Sequence, residues 1–259
     1  MDLQLSGKTA LVTGSTKGIG LGIARALARE GASVIVNGRS EASAKAAADQ
    51  IGNGARGIAA DVSTAAGCAA LAEQAGPVDI LVNNAGIFEP KPFKDIPDED
   101  WERFYQVNVM SAIRLTRALL PGMLTRNWGR VVFISSESGI QIPEEMIHYG
   151  MTKAAELALV NGIARTTKGS GVTVNAVLPG PTASEGVTDF VSQLASEAGQ
   201  TPEQFEQEFF RSVRGTSLLQ RFATVDEVAD TVAFLCSPLA SATNGAAVRV
   251  DGGVLLATT

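Results

Sequence analysis

The sequence predicts an α/β fold built on a doubly wound parallel sheet of seven strands with helices on both faces. Short apolar runs, such as residues 9–12, alternate with alanine-rich stretches of helical length, such as residues 19–29. This alternation is typical of parallel strands joined by crossover helices. The strands contain almost no polar residues, so helices should cover both faces of the sheet. Residues 246–250 form the last predicted strand.

The other elements follow in chain order. Strands are predicted at residues 34–36, 131–134 and 172–177, and helices at residues 42–51, 98–124 and 149–168. The helix at 98–124 opens with acidic side chains, which suit its positive end. Thr224 and Glu227 have the spacing of a capping box that starts the last helix.

Residues 182–220 depart from the alternation and form an unusually long connection. This segment is rich in Glu and Gln and contains Phe190, Phe205, Phe209 and Phe210. Connections of this length in compact proteins are usually functional or disordered. We expect amphipathic helices that act as a substrate lid, with a poorly ordered surface segment as the alternative. No linker or repeat interrupts the chain, so residues 1–259 are interpreted as one domain.

Composition favours small-molecule partners. The chain has 259 residues, of which 45% are hydrophobic, with a net charge of −6 and a pI near 5.0. The acidic balance and the lack of basic runs argue against binding to nucleic acid or an anionic membrane. The first residues lack the apolar core of a signal peptide, and no stretch of 18 apolar residues occurs. A cytoplasmic location is expected.

The residues that usually bind metals are few. Cys68 and Cys236 lie far apart and lack metal-type spacing, so two reduced buried thiols are predicted. The only histidine, His148, makes a zinc site improbable, and no metal centre is expected. His148 precedes Tyr149, but adjacent helical residues point about 100° apart. We therefore expect His148 to pack away from the proton path.

A glycine-rich loop follows the first predicted strand and opens a helix. Gly14 permits a tight turn, Gly18 permits close approach of a phosphate, and Gly20 permits close helix packing. The free N–H groups at the helix start would face the anion. The sequence therefore predicts a dinucleotide pyrophosphate site whose contacts come from Gly14, Ser15, Thr16, Lys17, Gly18, Ile19 and Gly20.

The end of the second strand favours NADP over NAD. Asn37 and Arg39 occupy the place where an acidic residue would bind the ribose 2′-hydroxyl of NAD. Arg39 could instead clamp a 2′-phosphate, with Lys17 adding a second positive charge. Asp61 and Val62 follow the third strand, where the carboxylate could accept a hydrogen bond from adenine or cap a helix.

Tyr149 and Lys153 are spaced so that a helix places both on one face. An ammonium about 5 Å from a phenol favours phenolate by roughly 3 kcal/mol, or about 2 pKa units, at an effective dielectric of about 20. The pair therefore predicts a tyrosine acidic enough to exchange a proton with a carbonyl or alcohol oxygen.

Taken together, the motifs resemble those of the short-chain dehydrogenase/reductase family over essentially the whole chain. They occur in the family's order, and Ser136 precedes Tyr149 by 13 residues (149 − 136), as the family's catalytic serine does. The resemblance implies a Rossmann fold and a homotetramer or homodimer formed through the helices at 98–124 and 149–168. The motifs are the glycine loop, Asn83 to Gly86, Asn108, Ser136, Tyr149 with Lys153, Pro179 to Thr182, and Asp251 to Gly253.

The resemblance also implies roles for single residues. Ser136 would hold the substrate oxygen, and Tyr149 would act as general acid or base. Lys153 would bind the nicotinamide ribose and lower the pKa of Tyr149, and Asn108 would hold a water that links Lys153 to solvent. The cofactor would be lined by Asn84, Ala85, Gly86, Tyr149, Lys153, Pro179, Gly180 and Thr182.

The predicted function is an NADPH-dependent carbonyl reductase, or an alcohol dehydrogenase in reverse. One alternative is a 3-oxoacyl-carrier-protein reductase, which needs a basic docking patch that Arg126, Arg130, Arg165 and Arg211 could form. Another is a non-catalytic NADP-binding redox sensor.

The substrate itself is not fixed by the sequence. An apolar pocket is suggested by Phe88, Ile142, Met146 and Phe190. Glu144 or Glu145 would disfavour an anionic substrate if either pointed inward.

Overall fold

A seven-stranded parallel sheet forms the centre of the protein in the computed structural model, which describes residues 1–185, 187, 195 and 199–258. Its strand order is β3-β2-β1-β4-β5-β6-β9, and a separate pair, β7 and β8, forms a small second sheet. The strands are β1 (Thr9–Val12), β2 (Ser33–Gly38), β3 (Arg56–Ala59), β4 (Ile80–Asn83), β5 (Gly129–Ile134), β6 (Val172–Pro179), β7 (Thr182–Ala183), β8 (Ala223–Thr224) and β9 (Ala247–Val250).

Helices cover both faces of the sheet, as predicted. Alternate strand residues point to opposite faces, so Val12 packs into one apolar core with α1, α2 and α8, and Leu11 into a second core with α3, α5 and α6. Of the helices that the structure describes, none has the length and apolarity to cross a bilayer. The helices are α1 (Gly18–Arg29), α2 (Glu41–Ile51), α3 (Ala65–Ala75), α4 (Asp98–Phe104), α5 (Ser111–Thr125), α6 (Ile147–Thr166), α7 (Pro202–Glu208) and α8 (Val225–Cys236).

The order of the strands reverses between β1 and β4. The chain runs outward from β1 to β3 and then returns to place β4 on the other side of β1. Open α/β sheets bind ligands in the crevice beyond the carboxyl ends of the strands at such a reversal. The loops that follow β1, β4, β5 and β6 therefore meet at one edge of the sheet.

The helix predicted at 98–124 contains an interruption that the sequence did not reveal. Six residues, Tyr105–Met110, form a π-helical segment between α4 and α5. Segments of π-helix inside α-helices occur frequently at functional sites. Asn108 lies within this segment, so its side chain is displaced from the regular helical register.

The described part of residues 182–220 contains helix, as predicted. Beyond α7, a π-helical segment at Phe209–Val213 carries Phe209 and Phe210, whose rings pack against Phe222 with centroids 5.1 to 5.3 Å apart. Phe190 lies outside the described residues.

The predicted capping box is confirmed at the start of α8. The hydroxyl of Thr224 accepts from the backbone N–H of Glu227, and the Glu227 carboxylate accepts from the N–H of Thr224.

Candidate active site

The glycine loop after β1 has the shape needed to approach a phosphate. Gly14 and Gly18 have φ values of +58° and +57°, which only glycine adopts readily. A Cβ atom on Gly14 would lie 3.0 Å from the Cα of Ala85, and one on Gly20 would lie 2.4 Å from the amide nitrogen of Asn84. The N-cap residue, Lys17, makes no side-chain cap at the start of α1, which leaves the first N–H groups of the helix for an anion. The loop therefore fits a pyrophosphate.

Thr13 fixes this loop to the end of β4. Its hydroxyl accepts from the backbone N–H groups of Asn84 and Ala85 and donates to the carbonyl of Val82. The side chain of Asn84 in turn donates to the carbonyls of Thr13 and Gly14. Each of the two loops that flank the crevice thus provides a side chain that binds the backbone of the other loop.

Two residues expected to contact the cofactor have side chains that hold the loop. The buried hydroxyl of Ser15 donates to the carbonyl of Val12 and accepts from the backbone N–H of Asn37. The buried amide of Asn37 accepts from the N–H of Gly14 and donates to carbonyls of β3 and its following residue. The side-chain groups of both residues are therefore engaged within the protein.

The charged residues near the adenosine end are exposed. Arg39 follows β2 and Lys17 lies in the glycine loop, each with an exposed side chain. Thr16, which precedes Lys17, packs against Gly38, which precedes Arg39. A Cβ atom on Gly38 would lie 2.5 Å from the methyl group of Thr16. Both cations are thus near the end of β2, where a 2′-phosphate would be expected.

Asp61 forms a turn after β3. One oxygen of its carboxylate accepts from the backbone N–H of Ser63, and its carbonyl accepts from Thr64. Thr64 is the residue that caps α3. Val62 is buried in the second core. Asp61 therefore supports a turn, while the carboxylate itself remains exposed.

Asn108 links the segment after β4 to α6. Its amide oxygen accepts from the backbone N–H of Ile87, and its amide nitrogen donates to the carbonyl of Ile87 and to the hydroxyl of Thr152. A Cβ atom on Gly86 would lie 3.6 Å from both Asn108 Oδ1 and Lys153 Nζ. Both amide hydrogens of Asn108 are donated to protein oxygens, so the expected water would have to bind atoms other than this amide nitrogen.

Ser136 is the second residue after β5, and it caps the short helical turn Glu137–Gly139. Its hydroxyl accepts from the backbone N–H of Ser138 and donates to the carboxylate of Glu137 at 2.5 Å. Glu137 is buried, with 8% of its side chain exposed. The single hydroxyl proton of Ser136 therefore faces a carboxylate.

Lys153 lies four residues after Tyr149 on α6, as predicted, but its ammonium has other close partners. It donates to the carbonyl of Ile134 at 2.8 Å and to both carboxylate oxygens of Glu156 at 3.1 and 3.2 Å. Both side chains of this ion pair are at most 5% exposed. The ammonium lies 5.8 Å from the centroid of the Tyr149 ring.

The predicted acidity of Tyr149 is wrong. The pKa of Tyr149 is raised above its ordinary value, first by burial of the phenol and then by the negative charge of Glu137. Part of the side chain still faces the cleft. The proximity of the Ser136 hydroxyl acts in the opposite direction, and Glu156 raises the pKa of Tyr149 further.

The carboxyl group of Glu156 is perturbed as well. Burial raises the pKa of Glu156, and the charge of Lys153 opposes that increase.

The cleft beyond Tyr149 is bordered by apolar and charged groups. Phe88 packs edge-on against Tyr149, with centroids 6.3 Å apart. Arg214, which follows the π segment at Phe209–Val213, lies 3.5 Å from carboxylate oxygens of both Glu137 and Glu145. Of the two overhanging acids, Glu145 therefore turns toward this cluster, whereas Glu144 is exposed.

His148 packs away from the cleft, as expected. Its buried ring lies 4.0 Å from the centroid of Phe104 and 5.9 Å from that of Trp101. Burial lowers the pKa of His148. The imidazole is therefore neutral at physiological pH and belongs to the packing between α4 and α6.

The loop after β6 borders the crevice. Pro179 and Thr182 are buried, and the Thr182 hydroxyl donates to the carbonyl of Gly180. A Cβ atom on Gly180 would lie 2.6 Å from the carbonyl oxygen of Asp251. This close approach requires glycine and holds the loop against the end of β9.

Five residues that sequence reasoning did not assign to the site contribute to it. Glu156 had a usable signal, because a glutamate three residues after Lys153 lies on the same helix face. Glu137 and Arg214 meet only through tertiary structure. The complete set is Thr13, Glu137, Thr152, Glu156 and Arg214.

The model of the short chain dehydrogenase family matches residues 8–195, and the chain belongs to this family of oxidoreductases. This confirms the resemblance inferred from the motifs.

Similar proteins extend over nearly the whole chain. An uncharacterized oxidoreductase, YvrD, of Bacillus subtilis is 48% identical, covering 98% of this chain and 99% of its own. A D-beta-hydroxybutyrate dehydrogenase of Cupriavidus necator is 40% identical, covering 96% and 98%. The structure of L-sorbose reductase from Gluconobacter frateurii, complexed with NADPH and L-sorbose, superimposes with a TM-score of 0.94 at 33% identity, covering 99% and 100%.

Proposed function

We propose that this protein is an NADP(H)-dependent reductase that converts a carbonyl compound into a secondary alcohol, or catalyses the reverse reaction, with Tyr149 as the general acid. The observation that carries the proposal is that Ser136, Tyr149, Lys153 and Asn108 lie together beside Gly86 at the carboxyl edge of the sheet. The family membership supports the same reaction class.

The geometry supports a separate task for each side chain. Tyr149, whose raised pKa keeps the phenol protonated at neutral pH, is suited to donate a proton to a substrate oxygen. Ser136 stands next to it and can donate a hydrogen bond to the same oxygen once its proton leaves Glu137. Asn108 and Thr152 hold the start of α6 against the segment that follows β4.

The crevice is suited to a nicotinamide dinucleotide. Bound NADPH would supply the hydride for reduction, and bound NADP⁺ would accept it in the reverse direction. Gly14, Gly18 and the uncapped start of α1 would hold the pyrophosphate. The loop at Asn84 to Gly86 and the loop at Pro179 to Thr182 would line the rest of the cofactor.

We infer a preference for NADP over NAD from charge. Arg39 and Lys17 are exposed near the end of β2, where the chain reads Asn37, Gly38 and Arg39 without an acidic side chain. A guanidinium pairs well with a phosphate because its donors match two oxygens at once. NADPH binding by the L-sorbose reductase is consistent with this preference.

The carrier-protein alternative has weak support from the surface. Arg130 is buried and donates to three backbone carbonyls, so it is no part of a docking patch. Arg126 pairs with Asp79, and Arg211 pairs with Glu208. Among the residues that the structure describes, Arg165 is then the one exposed member of the four without an ion pair.

A substrate lid and an oligomeric interface belong to the same proposal. Residues 182–220 would act as a lid, for which the three-ring cluster of Phe209, Phe210 and Phe222 provides an anchor. A homotetramer or homodimer would form through the faces of α4, α5 and α6, where Tyr105 is 40% exposed.

A panel of ketones and alcohols, followed through NADPH absorbance, tests the function. Oxidation of NADPH that requires a ketone, and a larger kcat/KM with NADPH than with NADH, are the expected results. Binding of NADPH without turnover of any ketone would instead favour the redox-sensor alternative. Efficient turnover of an acetoacetyl carrier protein would favour the carrier-protein alternative.

A further inference from the structure

The buried carboxylate of Glu137 contacts the serine proposed to bind the substrate oxygen. Ser136 has one hydroxyl proton, and it is donated to Glu137 at 2.5 Å. Ser136 cannot donate to a substrate oxygen while that bond persists. A productive substrate must therefore offer Glu137 a replacement donor, because an unpaired buried carboxylate is costly.

The carboxylate of Glu137 has acceptor positions left for such a donor. An ionised carboxylate accepts at about four lone-pair positions, and Arg214 supplies only a loose contact at 3.5 Å to the oxygen that Ser136 does not contact. Arg214 also lies 3.5 Å from Glu145, so two carboxylates share one guanidinium. The cluster carries one net negative charge, which repels an anionic substrate.

We propose that the substrate is a neutral ketone with a hydroxyl group on the carbon next to the carbonyl, or in reverse a vicinal diol, and that Glu137 recognises this hydroxyl. This inference rests on the proposed function. The substrate hydroxyl donates to Glu137, which releases the proton of Ser136 for the neighbouring carbonyl oxygen. Because Ser136 Oγ lies 2.5 Å from a carboxylate oxygen of Glu137, the two groups match two oxygens on adjacent substrate carbons.

Matched ketones of nearly equal size test this inference with the full chain and NADPH. Hydroxyacetone is compared with butanone, and 1-hydroxy-2-hexanone with 3-heptanone, because each pair exchanges a hydroxyl for a methyl group. A site that binds a substrate hydroxyl discriminates strongly against the analogue without it, so we expect kcat/KM at least about tenfold higher for each hydroxyketone. Pyruvate, which is anionic and of similar size, should be reduced more slowly than hydroxyacetone.

Two variants assign the preference to Glu137. Glu137→Gln should reduce the hydroxyketone-to-ketone ratio of kcat/KM to below about threefold, because a neutral amide accepts more weakly than a carboxylate. Glu144→Gln removes a neighbouring exposed carboxylate and should keep the wild-type ratio. NADPH affinity, measured by fluorescence, verifies that each variant is folded.

The outcomes separate this inference from the function on which it rests. Turnover of butanone and 3-heptanone as fast as of the hydroxyketones, or an unchanged ratio in Glu137→Gln, would overturn the role of Glu137 and retain the reductase. The wild-type ratio decides the substrate class even if Glu137→Gln does not fold. Failure to oxidise NADPH with any ketone would overturn both proposals.

Discussion

Tyr149 is surrounded by more negative charge than its motif suggests. The family pattern places Lys153 one helical turn away, but Glu156 binds the same ammonium from the other side. Glu137 approaches the phenol through Ser136. The phenol is therefore held in its protonated form, which suits proton donation during reduction.

Replacement of Glu156 should show how much this ion pair matters. Glu156→Gln leaves the charge of Lys153 uncompensated and removes a carboxylate that raises the pKa of Tyr149. Alcohol oxidation requires the phenolate, so its rate rises with pH through the pKa of Tyr149. In the variant this rise should move to lower pH by about 1 unit.

The pH dependence of NADP⁺ reduction, measured at alkaline pH where Glu156 is ionised, provides the readout. Glu102→Gln, an exposed change on α4, is the matched control. A profile that coincides with the wild type would show that Glu156 does not control Tyr149.

Arg39 offers a second test at this scale. Arg39→Ala removes a guanidinium that would pair with the 2′-phosphate, and a hydrogen bond to a charged group contributes about 1.5–3 kcal/mol. The Kd of NADPH should therefore rise at least about tenfold, while the Kd of NADH changes little. Titration of cofactor fluorescence measures both, with Arg25→Ala on α1 as control. Equal weakening of the two cofactors would exclude recognition of the phosphate by Arg39.

The strands and helices were largely predictable because their signals are local. Apolar runs and alanine-rich stretches recur with clear periods, and Thr224 with Glu227 satisfies the capping rule within one turn. The π segment around Asn108 was not predictable, because its contacts with Ile87 and Thr152 depend on elements far apart in the chain. The contact between Glu137 and Arg214 escaped prediction for the same reason.

Strand β5 contains a structural arginine whose role is visible only in three dimensions. Arg130 is 2% exposed, donates to the carbonyls of Gly129, Gly171 and Ser237, and lies 4.7 Å above the ring of Trp128. Burial lowers the pKa of Arg130. It connects β5 to the segments that follow α6 and α8.

Replacement of this arginine should destabilise the protein. Arg130→Met leaves buried carbonyls without donors, and each unsatisfied group costs about 1–3 kcal/mol. We expect the free energy of unfolding to fall by at least about 2 kcal/mol, measured by urea denaturation at fixed protein concentration. Arg25→Met, an exposed change, should have little effect. A similar loss in both variants would contradict the structural role.

At the scale of the whole molecule, the sheet topology explains why residues from distant segments meet. The reversal between β1 and β4 opens a crevice, and β5 and β6 extend the same edge. The glycine loop, Ser136 and the loop after β6 all follow strands of this edge. The sequence motifs predicted this arrangement because each motif follows one of these strands. The expected substrate-binding side of the crevice was not predicted, because it depends on Arg214 and the segment around it.

The most direct test of the account is Tyr149→Phe in the presence of NADPH. The variant keeps the ring that packs against Phe88 and loses only the hydroxyl. General acid catalysis contributes about 10²–10⁴-fold, so ketone reduction should fall by at least about 100-fold while the Kd of NADPH stays within about twofold of the wild type. A variant that binds NADPH normally and retains most of its reductase rate would contradict the assignment of Tyr149 as the proton donor.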